Sequence, residues 1–203
     1  MVIDMIVQSS QVRFDHLLSV ISGERFLKKQ GLENDVPFFV CPYKQEEAVE
    51  MESLRKSLVK NLQQIGLGVL DINLYDLALE LLQKRGIWEQ VLELEPTVSK
   101  EELKELLQGV LDLEQYLIPA IAEKMTEFKF DVMFLSGIGE VFPYIRSHSV
   151  LNNLQSTAKE QPTVMFFPGA YSYSPETGAS LDLFGRLRDD KYYRAFNIFH
   201  CEA

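Results

Sequence analysis

Short apolar runs alternate along this chain with longer segments of helical periodicity. The clearest helical spacing covers residues 46–65, where apolar side chains recur at steps of three and four and Gly66 follows as a C-terminal stop. An apolar run suited to a buried strand lies on either side of it, at residues 36–40 and 67–72. A strand, a helix and a second strand in this order predict a β-α-β unit with parallel strands.

Two further helices are predicted from their capping residues. Ser9 or Ser10 can cap a first helix that reaches about residue 30, although Gly23 interrupts it. Asn73 can cap a helix that ends at Gly86.

The C-terminal half repeats the alternation of strand and helix. Residues 130–135 and 163–167 are predicted strands, the second ended by Pro168 and Gly169, with a helix over residues 142–154 between them. The polar stretch 170–179 has the composition of a loop, and residues 181–184 can form a short strand. We therefore expect one α/β domain over residues 1–203, with a mostly parallel sheet flanked by helices, either Rossmann-like or degenerate P-loop-like.

Residues 87–127 are predicted to form an acidic helical insert within that domain. Ser99 and Glu102 match a capping box, and Pro119 should kink or divide the helix that contains it. Residues 89–127 hold three basic and ten acidic residues, a large part of the formal net charge of −10. The acidic surface is most simply a solvated helix face, and a docking surface is the alternative.

Composition argues against several classes of protein. The acidic balance disfavours autonomous nucleic-acid binding, because such binding depends on lysine and arginine displacing counterions from phosphates. Two cysteines do not make a disulfide framework, and no segment has the length and apolarity of a signal peptide or a membrane span. We expect a cytoplasmic protein without membrane contact.

The motifs for familiar active sites are missing. SGIGEVFP at residues 136–143 lacks both the lysine of a P-loop and the third glycine of a dinucleotide fingerprint. The three histidines are far apart, no HExxH or CxxC pair occurs, and there is no Gly-x-Ser-x-Gly. We therefore predict no cofactor, no metal, no catalytic residues and no enzymatic activity.

A group of polar residues is nevertheless expected where the strands end. Because the carboxyl ends of parallel strands meet at one edge of a sheet, these residues should lie near one another. They can hold a ligand or a partner peptide, or they can be structural, with Arg146 paired to Glu140 or Asp76. The candidate functional cluster is Asp76, Glu140, Arg146, His148, Asn152 and Asn153, with Tyr43, Asn73 and Tyr171 nearby.

Several blocks of the sequence resemble a known family. They are VPFFVCPY, INLYDLALE, FLSGIGEVFPYIRSHSVLNNLQ, TVMFFPGAYS and LDLFGRLRDDKYYRAFNI, which begin at residues 36, 72, 134, 163 and 181. Together they resemble the BrxB family of bacterial BREX phage-defence systems, formerly a domain of unknown function. The acidic helical block lies outside this resemblance.

The resemblance implies a non-catalytic component of a BREX complex that binds and positions a PglZ-type phosphatase-superfamily protein and works beside other BREX components. The family has no agreed catalytic residues to carry over. Two alternatives remain open. One is an enzyme handling a small ligand or phosphate through Glu140, Arg146 and His148. The other is a nucleic-acid-contacting subunit that uses the C-terminal cations Arg186, Arg188, Lys191 and Arg194.

Overall fold

The computed structural model describes residues 8–30, 37–174, 178–185, 187–188 and 195–202. Within these residues, five strands pair in parallel in one sheet, in the order β2-β3-β4-β1-β7. Their bounds are β1 Phe38–Tyr43, β2 Val69–Asn73, β3 Val132–Ser136, β4 Thr163–Ser174 and β7 Ala195–Asn197. The predicted α/β fold with a mostly parallel sheet is confirmed, including the parallel strands near residues 36–40, 67–72 and 130–135.

Side chains of the strands point alternately to the two faces of the sheet, and helices cover both faces. Phe39 and Cys41 pack against α1 (Ser10–Ser22) and α3 (Ala48–Gln64). Phe38 and Val40 belong to the core on the opposite face. That face is covered by α4 (Leu74–Lys84), α7 (Ile118–Glu127) and α8 (Ser147–Leu154). Strands buried on both faces explain the nearly continuous apolar runs in the sequence.

The fourth strand is much longer than predicted. Beyond Phe167 it continues through Pro168 and Gly169, and this second half pairs antiparallel with β5 (Gly178–Leu183), which pairs in turn with β6 (Leu187–Arg188). The prediction that residues 170–179 form a loop is therefore wrong for Ala170–Ser174 and Gly178–Ala179. Residues 175–177 lie outside the described part. We call this antiparallel extension, residues 168–174 with β5, the turn residues Phe184 and Gly185 that follow it, and β6, the arm.

Two proline positions explain other differences from the predicted elements. β1 continues past residue 40, where the predicted strand ends, through Pro42 to Tyr43. β7 reaches only to the level of Val40, so no strand among the described residues pairs with β1 on that side at Pro42, and a missing N–H is tolerated there. The helix predicted from residue 142 begins only at Ser147. Pro143 follows Phe142, and a residue before proline is driven out of the helical conformation.

The first predicted helix is divided, as Gly23 indicated. α1 is capped by the hydroxyl of Ser9, and after Gly23 a short helix α2 (Glu24–Leu27) follows. The predicted Asn73 cap and the Ser99–Glu102 capping box are both present.

Residues 87–127 contain α5 (Trp88–Leu94), α6 (Lys100–Val110), a π-helical turn (Leu113–Leu117) and α7. The helix is divided just before Pro119, as predicted. α5 and α6 share a small separate core built on Val91 and Leu111, whereas Leu117 and Ile121 are fully buried in the main core. The description of this whole segment as an insert stays a prediction.

Candidate functional site: the carboxyl edge of the sheet

The loop after β3 lies at the carboxyl edge of the sheet, where open α/β sheets commonly bind ligands. Three apolar residues at helix-like spacing, Ile138, Val141 and Ile145, fasten it to the main core and are almost completely buried. The loop is therefore a packed part of the body of the protein.

One end of this loop packs against the start of α4. Gly137 has a φ of 75°, and a side chain placed on it would collide with the amide oxygen of Asn73. That oxygen accepts the backbone N–H groups of Tyr75 at 2.9 Å and Asp76 at 3.3 Å, so it caps α4. Glycine is required at 137 both by the backbone conformation and by this close approach.

The other end of the loop is closed by the arm. A Cβ at Gly139 would stand 3.1 Å from the ring of Phe184 and 3.2 Å from the ring of Pro168. Phe142 meets Phe184 edge to face, with ring centroids 6.4 Å apart. Protein side chains thus fill the space between this loop and the arm.

The charged residues of the predicted cluster do not pair with one another. Asp76, Glu140 and Arg146 are exposed, and among the described residues none of them forms an ion pair. The expected pairing of Arg146 with Glu140 or Asp76 is therefore absent. Arg146 is instead the residue at which α8 begins, and its side chain makes no capping bond.

The remaining members of the cluster bond within their own helix. The Nδ2 of Asn153 donates to the carbonyl oxygen of Ser149 at 2.8 Å, and the Oδ1 of Asn152 accepts from Gln155 at 3.2 Å. His148 Nε2 lies 3.1 Å from the Ser149 hydroxyl. Asn152, Asn153 and His148 all lie on α8.

Glu140 does approach the tyrosines near the edge. Burial raises the pKa of Tyr43 above its ordinary range, and the nearby Glu140 carboxylate raises it further. Burial likewise raises the pKa of Tyr144, with added contributions from Tyr75 and Glu140. Glu140 therefore lies near Tyr43 at the end of β1 and near Tyr144 in its own loop, and the raised pKa values keep these two phenols protonated as hydrogen-bonding groups at neutral pH. Tyr171, the other predicted neighbour, is tied to β7 by a 3.0 Å bond from its hydroxyl to the carbonyl of Ala195.

The sequence analysis did not identify two arginines that are buried in the structure. Arg55 on α3 is 5% exposed and contacts Glu52, at 2.7 Å, and Asp71 on β2. Arg13 on α1 is 2% exposed and lies 2.7 Å from Glu47, just before α3. Arg13 lies four residues before Leu17 on α1, and Arg55 lies three residues before Leu58 on α3, so each arginine belongs to the apolar stripe of its helix. A charged residue inside an apolar stripe is the sequence pattern that could have identified both.

The described residues bear only in part on the predictions about metal binding, membrane contact and the C-terminal cations. The described residues include no group of three or more His, Cys, Asp or Glu side chains arranged to hold a metal ion. None of their helices has the length and apolarity needed to cross a membrane. Of the C-terminal cations, Arg186, Lys191 and Arg194 lie outside the described residues, and Arg188 is described only by its backbone in β6.

Comparison with known proteins identifies the family to which this chain belongs. A family model described as BREX protein BrxB matches residues 70–198, which include β2 from its second residue, β3, the packed loop and all described residues of the arm. The chain belongs to the BrxB family. BrxB proteins are components of BREX phage-defence systems, so the resemblance noted in the sequence is confirmed at the level of the family.

Two BrxB relatives align over almost the whole chain. The protein from Bacillus cereus (strain H3081.97), described as BREX protein BrxB, is 32% identical over 193 residues, 92% of this chain and 95% of the relative. The Escherichia coli O9:H4 (strain HS) protein of the same description is 29% identical over 188 residues, 93% of this chain and 90% of the relative. No solved structure matches the chain.

Proposed function

We propose that this BREX component is a non-catalytic assembly protein that binds and positions a PglZ-type phosphatase-superfamily protein. The observation that carries the proposal is the packing at the carboxyl edge of the sheet. Asn73 is used as a helix cap against Gly137, and Phe184 and Pro168 pack against Gly139. Side chains that would be ligand-binding groups in an open crevice are used here to hold the fold together.

The electrostatics of the edge favour the same role. A general acid or base that works at neutral pH needs a pKa near 7, and a reactive tyrosine needs a lowered one. Tyr43 and Tyr144, two partly buried tyrosines that Glu140 influences, have pKa values shifted in the opposite direction. They are suited to fixing positions rather than to transferring protons.

The exposed residues at this edge of the sheet, two of them members of the cluster, provide a surface for the partner. Tyr75 is 40% exposed at the start of α4, and the exposed Glu140 and Arg146 come from the packed loop and its junction with α8. Tyrosine and arginine are enriched among the residues that contribute most to protein interfaces. Since buried residues hold this loop, its backbone loses little freedom when a partner binds.

Co-expression of the complete BREX operon tests the proposal. Affinity purification of this chain should retain the PglZ-type protein in stoichiometric amount, and retention should persist after nuclease treatment. A chain that is purified without any BREX protein, or that loses its partner with the nucleic acid, would contradict the assembly role.

A second measurement addresses the non-catalytic part. The purified chain should show no ATP turnover above a buffer blank, because it has no phosphate-cradling loop with its lysine. Steady turnover that disappears in Glu140→Gln or Arg146→Ala, while a Lys60→Ala control retains it, would establish an enzyme instead.

A further inference from the structure

The turn after β5 has a backbone conformation that is unfavourable for one of the residues in it. Phe184 has a φ of 54°, and the next residue, Gly185, has a φ of 65°. Two consecutive positive φ angles occur in tight hairpin turns, where asparagine and glycine are the usual residues. A bulky side chain is an outlier in this conformation and adds strain. The turn itself therefore does not explain a phenylalanine at position 184.

The contacts of the Phe184 ring do explain it. The ring lies at the carboxyl edge of the sheet, where Gly139 leaves room for it: a Cβ on Gly139 would stand 3.1 Å from one ring atom of Phe184 and 3.3 Å from another. Pro168 borders the same space, and Phe142 meets the Phe184 ring edge to face. We call the space between Gly139, Pro168 and Phe142 the ring slot.

The ring is held in the slot by a small margin. Phe184 is only partly buried, and the gain from an aromatic contact is similar in size to the strain of a positive φ, so the two largely cancel. Leu181 and Leu183 of the preceding strand are, by contrast, buried in the main core, at 1% and 3% exposed. Release of the ring is therefore a change in the turn alone, next to the exposed Gly185, while β5 stays in place.

We propose that Phe184 is an internal occupant of the ring slot and that an aromatic side chain of the PglZ-type protein displaces it when that partner binds. The ring now in the slot defines the occupant, because the slot fits a flat ring and Phe142 provides an edge-to-face contact. Relaxation of the backbone at residue 184 offsets part of the cost of removing the internal ring.

The ring slot adjoins the exposed Glu140 in the packed loop, so the displacement takes place at the partner surface described above. This inference rests on the proposed function, since it describes how the same edge of the sheet stays closed until the partner binds. Phe184 is thus an autoinhibitory contact that competes with the partner for one space.

Two variants at the ring slot should change partner binding in opposite directions. Phe184→Gly empties the slot and adopts the turn without strain, so the PglZ-type protein should bind about tenfold more tightly, because the internal ring no longer reduces the binding-competent fraction. Gly139→Ala narrows the slot for any ring and should weaken binding about tenfold. Unchanged or weaker binding in Phe184→Gly, or unchanged binding in Gly139→Ala, would overturn this inference. If Gly139→Ala does not fold, Phe184→Gly decides alone.

Lys29→Gly is the matched control for the release of strain. Lys29 also has a positive φ, of 53°, and its side chain bonds to the carbonyl oxygen of Lys159, ahead of the amino end of β4 and apart from the ring slot. Lys29→Gly should raise the melting temperature and leave binding of the PglZ-type protein unchanged. A gain in binding equal to that of Phe184→Gly would show a general effect of stability and would overturn the role given to the ring.

Crosslinking tests the chemistry of the occupant. Photo-reactive azidophenylalanine in place of Phe142 should crosslink to a segment of the PglZ-type protein that contains phenylalanine, tyrosine or tryptophan. A crosslink to a segment without an aromatic residue would overturn the proposal.

Fluorine NMR observes the displacement directly. With para-fluorophenylalanine at position 184, the free chain should give the resonance of a packed ring, and addition of the PglZ-type protein should move it to the position of a solvent-exposed ring. An unchanged resonance in the bound complex would overturn this inference and leave the proposed function intact. Failure of the wild type to bind the PglZ-type protein would overturn the proposed function and this inference with it.

Discussion

Gly137 and Asn73 are packed so closely that the cap of α4 depends on the absence of a side chain at 137. The glycine ends β3 and the asparagine ends the neighbouring β2, 64 positions earlier in the sequence. The two strand ends and the start of α4 are thereby joined in one contact. The Gly-x-Gly turn, which in other α/β proteins faces a phosphate, here faces the protein's own helix cap.

The first prediction concerns this contact. Gly137→Ala should lower the free energy of unfolding by about 2 kcal/mol, because it combines a strained positive φ with displacement of the Asn73 cap. Gly109→Ala is the matched control: it lies within α6 with open space around it and should raise stability by about 0.5–1 kcal/mol. Denaturant titration measures both, and equal effects of the two changes would contradict the role given to Gly137.

The second prediction concerns Arg55. Arg55→Met keeps much of the buried stem but leaves Asp71 without its cation. Because the Asp71 side chain is 28% exposed and can be hydrated, the change should cost about 1–2 kcal/mol in thermal or chemical unfolding. The neighbouring Lys56, which is 70% exposed and pairs with the same Glu52, provides the control, and Lys56→Met should cost less than about 0.5 kcal/mol. A loss of similar size at both positions would show that burial of Arg55 is not the deciding factor.

The third prediction is a pH dependence. Hydrogen bonds from Lys84 and Lys124 lower the pKa of Glu80 below its ordinary value of 4.5, and the contact with Lys124 joins α4 to α7. A carboxyl group with a lowered pKa in the folded state stabilises the fold above its unfolded pKa, and this stabilisation is lost as the pH falls through the folded value. The stability difference between the wild type and Glu80→Gln should therefore shrink as the pH falls below about 4.5.

The matching control for Glu80 removes one cation and keeps the carboxyl group. Lys124→Met should lower stability at neutral pH by less than Glu80→Gln does, because Lys84 still holds the carboxylate. A difference between wild type and Glu80→Gln that stayed constant from pH 7 to pH 3 would contradict the assignment.

The fourth prediction separates the possible roles of Arg146. Since the side chain is exposed and has no ion pair among the described residues, Arg146→Ala should change the free energy of unfolding by less than about 0.5 kcal/mol. As a partner anchor, it should weaken binding of the PglZ-type protein about tenfold. The exposed Lys60, on the opposite face in α3, serves as the control cation. Unchanged melting with intact binding would make Arg146 an ordinary surface charge.

Much of the candidate site could be located from the sequence, because its position follows from strand order along the chain. The apolar run before Gly137 placed the loop at the end of β3, and the capping residue Asn73 marked the end of β2. What could not be read was the contact partner of each polar group. Arg146 was expected to pair with an acid, yet whether two side chains meet depends on the path of the loop, which Ile138, Val141 and Ile145 fix through long-range packing.

The sequence by itself determined the parallel sheet and the helix caps, since apolar periodicity and local hydrogen-bonding groups act over a few residues. Membership in the BrxB family follows separately, from the similarity of whole blocks of sequence to the family. Only the tertiary structure decided that β4 continues through Pro168 into the arm and that the arm closes the carboxyl edge. It alone showed that Arg13 and Arg55 are buried with acids from other elements. A local pattern states which side chains prefer to be buried; which groups meet once they are buried is set by contacts between residues that lie far apart in the chain.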